Sequence, residues 1–486
     1  AQADGGDCVR GAIMELLLKS INAPGPNLSH VLLGLADTVK AVSAGLGGRF
    51  TVSEGKLGAG SSNCLEAVLN LLAQPGFVDS SPVLAEQCMQ LVFRLCTTRG
   101  MALPVLQLLR GNSIDFFYSH LRDLVGSGRA RCRDSFARHG MAWLLQGVAV
   151  ELHVCCTGEP PYPSKARRLL ALLYGGHADD AALLQQRMCF MLEVLADMDI
   201  DEAGPVGSPD GRTMEAIREC SKPLETGGGG SQRQFEVIDI KALRALQRAG
   251  VPAQGDDSSR IAHSLQWASE WNTFVQRMAS QSHLCTSWRQ VVEVSLHSCG
   301  GLLVDNAQVA RQGSGSSGKR ILVSLLSAAL KKICAHPNAD VVLVEPIAHS
   351  CLSIMGTLRG LGAAGVLSIG EGQALLQHML EAICARGGAG GSKMLCAHLF
   401  GCLLHFLQHS QAPYVAGGDL SSVGAVGVAY EDLVEAHALC AETQQQYSTQ
   451  LEPFIDRLVE MLGRDTTCGV PVCESLAFSL LAALMR

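Results

Sequence analysis

Aromatic side chains are scarce, at 5% of the 486 residues. That scarcity speaks against the stacking platforms that hold single-stranded nucleic acids. Charge is scarce too, at 17% of residues, against roughly 25% in an average domain. A soluble coiled coil, dense in Glu and Lys, is excluded by that figure. A disordered chain is excluded by the 48% apolar content, which is enough to bury a large aliphatic core. There is no excess of positive charge: 38 Lys and Arg stand against 45 Asp and Glu, a net charge of −7. That is the wrong sign for a protein living on nucleic-acid phosphates.

Cys-x-x-Cys pairs are also lacking, and the 19 cysteines are an odd number. Most lie inside apolar runs, as Cys88, Cys96, Cys189, Cys396 and Cys402 do. A buried free cysteine behaves as a small hydrophobe, so a reducing compartment is expected. The longest apolar stretch, residues 141–156, is broken by Gln146 and Glu151. No uncharged apolar run reaches about 18 residues, so no transmembrane helix is expected. The chain opens AQADGGDC without a leader pattern and stops within the apolar run SLAFSLLAALMR. A fragment of a larger protein is expected on that ground.

What is present is helical period. In residues 27–46, Leu28, Val31, Leu32, Leu35, Val39 and Val42 recur at spacings of three and four, one helix face. Asn27 follows Pro26 and can cap that helix. Residues 80–98 repeat the pattern with Val83, Leu84, Cys88, Leu91, Val92 and Leu95. There Ser80 or Ser81 is an N-cap candidate and Pro82 suits a first helical position. Similar runs cover about 101–110, 113–126, 128–156, 165–176, 180–198, 241–249, 256–281, 283–300, 319–336, 340–360, 371–387, 392–411, 430–463 and 466–486. Strand signals are thin. Residues 233–240 (RQFEVIDI) alternate briefly, but one strand makes no sheet, and a lead-in to the next helix is the preferred reading.

Between these runs lie stretches rich in Gly, Ser and Pro, at 201–213, 222–232, 311–319, 385–393 and 412–427. Consecutive helices joined without strands indicate an all-α protein, an irregular HEAT/ARM-like α-solenoid of stacked helix pairs. At about 40–47 residues per pair, the chain has room for roughly ten to twelve. The expected organisation is a solenoid segment over 1–199, a flexible linker with a short helix over 200–231, and a second solenoid segment over 232–486.

Four motifs could carry chemistry. GSGSSGKR, from Gly313 to Arg320, imitates both G-x-G-x-x-G and the start of a P-loop. A P-loop needs Ser or Thr after Lys319, where Arg320 stands, and a strand before the glycines. It reads as a linker. His398, Cys402, His405 and His409 recur at four, three and four residues, a possible zinc ladder. One strongly apolar helix rarely supplies four tetrahedral ligands, and a helix–helix seam is preferred. The basic run 129–138 reads as a solvated helix face, and Glu159–Pro163 as a stop between helices. No catalytic, cofactor-binding or metal-binding residue is assigned, and no cofactor is expected.

Several segments resemble a known family. PGPNLSHVLLGL (24–35) is similar to a Pro-Asn-Leu-x-His-x-Leu-Leu-Gly segment, matched here by Pro26, Asn27, Leu28, His30, Leu32, Leu33 and Gly34. NCLEAVLNLL (63–72), SPVLAEQCMQLVFRLC (81–96) and IDFFYSHL (114–121) follow in order, and then Trp267–Leu296 with Trp288, Arg289 and Gln290. SKMLCAHLFGCLLHFLQ (392–408) is the best later piece. Together they resemble the large inner-ring scaffold nucleoporins of the nuclear pore complex (the nucleoporin 205 and 192 type, with the 188 type as the close rival). The resemblance implies an α-solenoid from the middle to late part of a longer chain, at the nuclear pore complex in the nuclear envelope. It implies a non-enzymatic scaffold that supports nucleocytoplasmic transport. Its implied partners are linker nucleoporins of the nucleoporin 93 and nucleoporin 53 or 35 types and neighbouring scaffold subunits. No direct nucleic-acid contact is expected. An importin- or exportin-like transport receptor, or another HEAT-repeat adaptor, is the alternative. Trp288 is expected to be a packing residue at the start of its helix.

Overall fold

The computed structural model describes residues 5–21, 23, 27–35, 64–98, 101–111, 115–127, 134–158, 161–175, 189–200, 204–205, 207, 209, 211–224, 235–249, 257–303, 318–360, 369–386 and 392–415. The sequence runs read as helices at 430–463 and 466–486 lie outside these residues, as do residues 180–188 of the one at 180–198. The described elements are overwhelmingly helical, and the fold class is all-α, of the α-solenoid type. The chain forms two compact units: residues 1–158 with 197–291, and residues 159–196 with 292–486.

In the first unit the chain begins with α1 (Gly5–Ser20) and α2 (Leu28–Leu32). Asn27 caps α2: its side chain accepts from the His30 amide at 3.1 Å, and His30 Nδ1 accepts from the Asn27 amide at 3.2 Å. The helix stops early because Gly34 takes φ 75°. The Leu35 amide then donates to the His30 carbonyl and Gly34 to Val31, the Schellman arrangement that closes a helix. The apolar face read along 27–46 is thereby corrected. Leu28 and Val31 are exposed, while Ser29, His30, Leu33 and Leu35 are buried. Residues 36–46 lie outside the described chain.

Next come α3 (Cys64–Leu72), α4 (Phe77–Ser80), α5 (Pro82–Thr97), α6 (Ala102–Gly111), α7 (Phe116–Ser127) and α8 (Ser135–Thr157). Pro82 sits in the first turn of α5, but Ser81 makes no side-chain cap bond. Leu84, Cys88, Leu91, Val92 and Leu95 are buried at helical spacing. They let α5 pack against α1, α3, α4, α6 and α8. Helix α8 starts at Asp134, which accepts from the Ala137 amide at 2.9 Å. It is buried around most of its circumference. At Gly147 a Cβ would collide with the Phe117 ring of α7, so this glycine sets the close approach of the two helices. Glu151, fully buried on α8, receives a bidentate pair from Arg110 of α6 at 2.8 and 2.9 Å.

Further along lie α9 (Pro163–Tyr174), α10 (Phe190–Asp197), α11 (Gly211–Glu219), β1 (Ser221–Pro223), β2 (Glu236–Ile238), α12 (Ile240–Ala249) and α13 (Asp257–His297). The two strands correct the reading of 233–240 as a lead-in only. They pair antiparallel, with Ser221 opposite Ile238. The partner strand lay in a stretch read as the edge of a linker. The ribbon lies over a small core of Ile217, Cys220, Ile238, Leu243 and Ala268. Trp267 and Trp271, stacked at 5.4 Å, pack against it. Helix α13 runs unbroken for 41 residues, where the sequence pattern indicated two helices meeting near residue 282.

The second unit contains α9, α10 up to Ala196, the end of α13, and α14 (Gly318–Ala335), α15 (Val341–Gly360), α16 (Ile369–Arg386) and α17 (Lys393–Val415). Helix α15 packs on α14 and α17, and α16 on α14 and α17. Buried Arg386 satisfies the carbonyls of the turn between α14 and α15, donating to Ala339 O at 2.8 Å.

Among the described residues two helices, α8 and α15, are long and apolar enough to cross a membrane by length and composition, with mean hydropathy 1.2 and 1.6. This differs from the sequence expectation, which rested on unbroken uncharged runs. The charges of α8 are held inside the protein, Glu151 by Arg110 and Arg138 by Ser280 at 3.2 Å, the pattern of a core helix.

Candidate partner-docking groove

Among the described residues, the side chains of the motifs singled out in the sequence are divided among separate partners. In GSGSSGKR only the residues from Gly318 are described, and they open α14, where Arg320 is exposed. The His/Cys ladder on α17 is divided among different partners on α15. The His398 ring stacks on His349 at 4.5 Å, and His349 Nδ1 lies 2.9 Å from Glu293. The Cys402 thiol donates to the Cys351 carbonyl at 3.6 Å. His405 Nδ1 lies 3.1 Å from the Arg359 guanidinium. The His409 side chain is outside the described residues. Among the described residues no three His, Cys, Asp or Glu side chains are placed to hold a metal ion. Of the basic run 129–138, Arg138 is not a solvated residue: it is buried. Pro163 opens α9 as a helix-start residue. Trp288 is fully buried, as a packing residue is, but it lies well inside α13 and not at a helix start.

A concavity lies in the first unit, among α3, α4, α5, α7 and α8. It encloses about 680 Å³, within the roughly 300–1,000 Å³ range of binding pockets. The tight turn at Pro75–Gly76, with Gly76 at φ 76°, carries the chain over its edge from α3 to α4. Its apolar surface comes from Leu72, Val78, Met89, Leu124, Met141 and Leu144. Carboxylates stand around this surface: Asp79 on α4, Glu86 on α5, Asp123 on α7 and Asp134 at the start of α8.

Glu86 is held in place by the Trp143 indole, which donates to its Oε1 at 2.8 Å. Burial raises the Glu86 carboxyl above the usual range, opposed by that hydrogen bond and by Arg94. Burial lowers His120 to about 4, so its imidazole is neutral near pH 7. The described lining residues include no Lys or Arg. Trp143 anchors the wall further, with its ring 4.2 Å from His283 and 5.2 Å from Phe93. The sequence did not mark these residues as a groove: Pro82 was read as a helix-start residue, and Asp134, Phe136 and Ala137 as part of a solvated basic run. The available signal was Glu86, a charge set between Ala85 and Met89 on the buried side of α5.

Helices packed face to face, with a partly apolar groove among five of them, are the architecture of an all-α protein of the α-solenoid type. The comparisons give the family. Residues 8–486 match the family described as nuclear pore complex scaffold, nucleoporins 186/192/205, and the chain belongs to it. It is 26% identical over 534 aligned residues to the human nuclear pore complex protein Nup205, covering 96% of this chain and 26% of that protein. It is 23% identical over 395 residues to Nup205 of Arabidopsis thaliana, covering 71% of this chain and 20% of that protein. The chain thus spans about a quarter or less of the length of these curated relatives. Family membership makes it a nuclear pore complex scaffold nucleoporin and places it at that complex.

Proposed function

We propose that the chain is a structural segment of the inner ring of the nuclear pore complex. It holds linker nucleoporins of the nucleoporin 93 and nucleoporin 53 or 35 types, together with neighbouring scaffold subunits. In this way it supports nucleocytoplasmic transport. It acts by binding and not by turnover. The match to the scaffold family along residues 8–486 carries this reading. Packed helices with grooves between them support it, because an amphipathic partner helix can lay anchors at i, i+3, i+4 and i+7 into such a groove.

The test is affinity capture from nuclear-envelope extract with this chain in its full-length context. Recovery of inner-ring nucleoporins is expected. Recovery of only transport cargo and the small GTPase of nuclear transport, released by GTP, would replace this reading with the transport-receptor alternative.

A further inference from the structure

We propose that Trp267, Trp271 and Phe274 of α13 form a recognition surface for an extended Gly/Pro-rich segment. Its resident ligand is the chain's own stretch at Gly204, Pro205, Gly207 and Pro209, a strap that closes the surface to other segments of that chemistry. This goes beyond the scaffold reading and does not depend on it.

By composition, residues 201–213 read as a linker, yet the described ones meet α13. The three rings recur at i, i+4 and i+7, one face of the helix. Trp267 stacks on Trp271 at 5.4 Å, and Trp271 meets Phe274 at 5.7 Å. The Trp267 indole donates to the Gly207 carbonyl at 2.7 Å. At the other end of the ladder Gly204 lies against Phe274, where a Cβ would stand 3.8 Å from the ring. The strap therefore runs antiparallel to α13. The helix rises about 10 Å between Trp267 and Phe274. Chain of polyproline type spans about 9 Å between Gly204 and Gly207. The two lengths match, so an extended segment meets the rings in step.

The chemistry of the surface selects Gly and Pro. Half-buried Pro205 has a fixed φ suited to extended chain and no N–H to leave unpaired. Gly207 takes φ 84°, which glycine accepts without strain, and turns the chain at the Trp267 end. An indole offers an apolar face and one N–H donor, which suit a proline ring and the free carbonyl of a chain without internal hydrogen bonds. The Trp271 indole donates to the Glu236 carbonyl at 3.4 Å, so α13 holds a second extended segment by the same device. Gly204 and Gly207 are exposed, which leaves the strap at the surface, within reach of a competitor.

The test uses the full chain. Trp267→Phe keeps a ring and removes the donor. Hydrogen exchange on peptides covering 200–214 is expected to rise about three- to tenfold, with α5 and α8 unchanged. A fluorescent peptide of the strap sequence, AGPVGSPDG, is then titrated and followed by anisotropy. It is expected to bind a strap variant (Pro205→Gly with Pro209→Gly) saturably, and to bind the unaltered chain about tenfold more weakly or not at all. Adding Trp267→Phe to the strap variant is expected to weaken it again by about threefold or more. The same peptide with Gly for both prolines is the control. Circular dichroism verifies that each variant folds. Unchanged exchange in Trp267→Phe, no binding to the strap variant, or equal binding of the two peptides would overturn the proposal. Equal affinity for the unaltered chain would also overturn it, because the strap would then not occupy the surface. Capture of inner-ring nucleoporins, the test of the scaffold reading, is a separate measurement that none of these outcomes decides.

Discussion

The side-chain amide of Asn272 occupies the place of a third strand beside Ile238. Asn272 Oδ1 accepts from the Ile238 amide at 2.7 Å, and Asn272 Nδ2 donates to the Ile238 carbonyl at 2.8 Å. One turn of α13 thus satisfies the outer edge of β2, and the Trp271 indole donates to the Glu236 carbonyl alongside. On the other strand Pro223 has no N–H to offer. The outer edge of β2 is covered by α13.

Replacing Asn272 with Ala leaves a backbone donor and acceptor of β2 without their partner. The expected cost is about 1–3 kcal/mol, confined to the ribbon and α12. Hydrogen exchange read on peptides covering 235–249 should accelerate, while exchange in α5 and α8 stays unchanged. Equal protection in the variant would show that Asn272 does not hold the strand.

The Arg110–Glu151 pair makes a sharper test of core packing. Glu151→Ala leaves a largely buried guanidinium without its bidentate acceptor and should cost about 3–5 kcal/mol. The double replacement Arg110→Met, Glu151→Leu removes both charges and should recover most of that loss. Thermal unfolding of the three proteins side by side decides it. A double variant as unstable as Glu151→Ala would mean that the ion pair contributes through more than cancelled desolvation.

Acid should destabilise the first unit before its carboxylates titrate. Burial lowers His120 and His139 to about 4 and His283 to about 3, with Arg138 acting on His139 and His139 on His283. The unfolded chain, with histidines near 6.5, binds protons that the folded chain refuses. Their contribution is therefore complete above about pH 6.5 and is lost as pH falls towards about 4. The slope is up to about 1.4 kcal/mol per pH unit for each histidine. Denaturant midpoints between pH 7 and pH 5 should fall, and His120→Gln should flatten the decline. A flat profile over that window would contradict the burial of these rings.

The thiols should be silent in the folded protein. Cys88 and Cys402 are pushed up to about 12 by burial, Cys189 and Cys334 up to about 11, and Cys96 and Cys351 upward as well. The reactive thiolate is therefore almost absent at neutral pH. Alkylation followed by mass mapping should leave these six unmodified until denaturant is added. Rapid labelling of Cys351 or Cys402 in the native protein would show that the seam between α15 and α17 opens.

The Pro-Asn-Leu-x-His-x-Leu-Leu-Gly segment shows how far local sequence reaches. Asn27 and His30 cap one end of α2 reciprocally, and Gly34 closes the other. These are contacts within ten residues, so the cap was legible. The apolar face of that segment was not, because Gly34 turns the chain before a second helical turn can form.

Helix existence was written in period 3.6: residues 340–360 were read where Val341–Gly360 is found, and 241–249 where Ile240–Ala249 is found. That signal depends only on which side chains recur along the chain. The continuity of α13 was not written there. Ser280, Gln281, Ser282 and His283 look like a polar break, yet all four are buried. Arg138 meets Ser280 and His139 meets His283 at 3.0 Å, so α8 supplies partners that no local pattern announces. The groove belongs to the same class. Its residues come from five helices, and its acidic edge exists only because packing brings Asp79, Asp123 and Asp134 to one opening. Sequence alone determined most of the helices, the Asn27 cap and the family, because those rest on short-range period and ordered motifs. Tertiary structure decided which polar groups are buried, what covers the outer edge of β2 and where the groove opens, because each depends on groups far apart in the chain meeting in space.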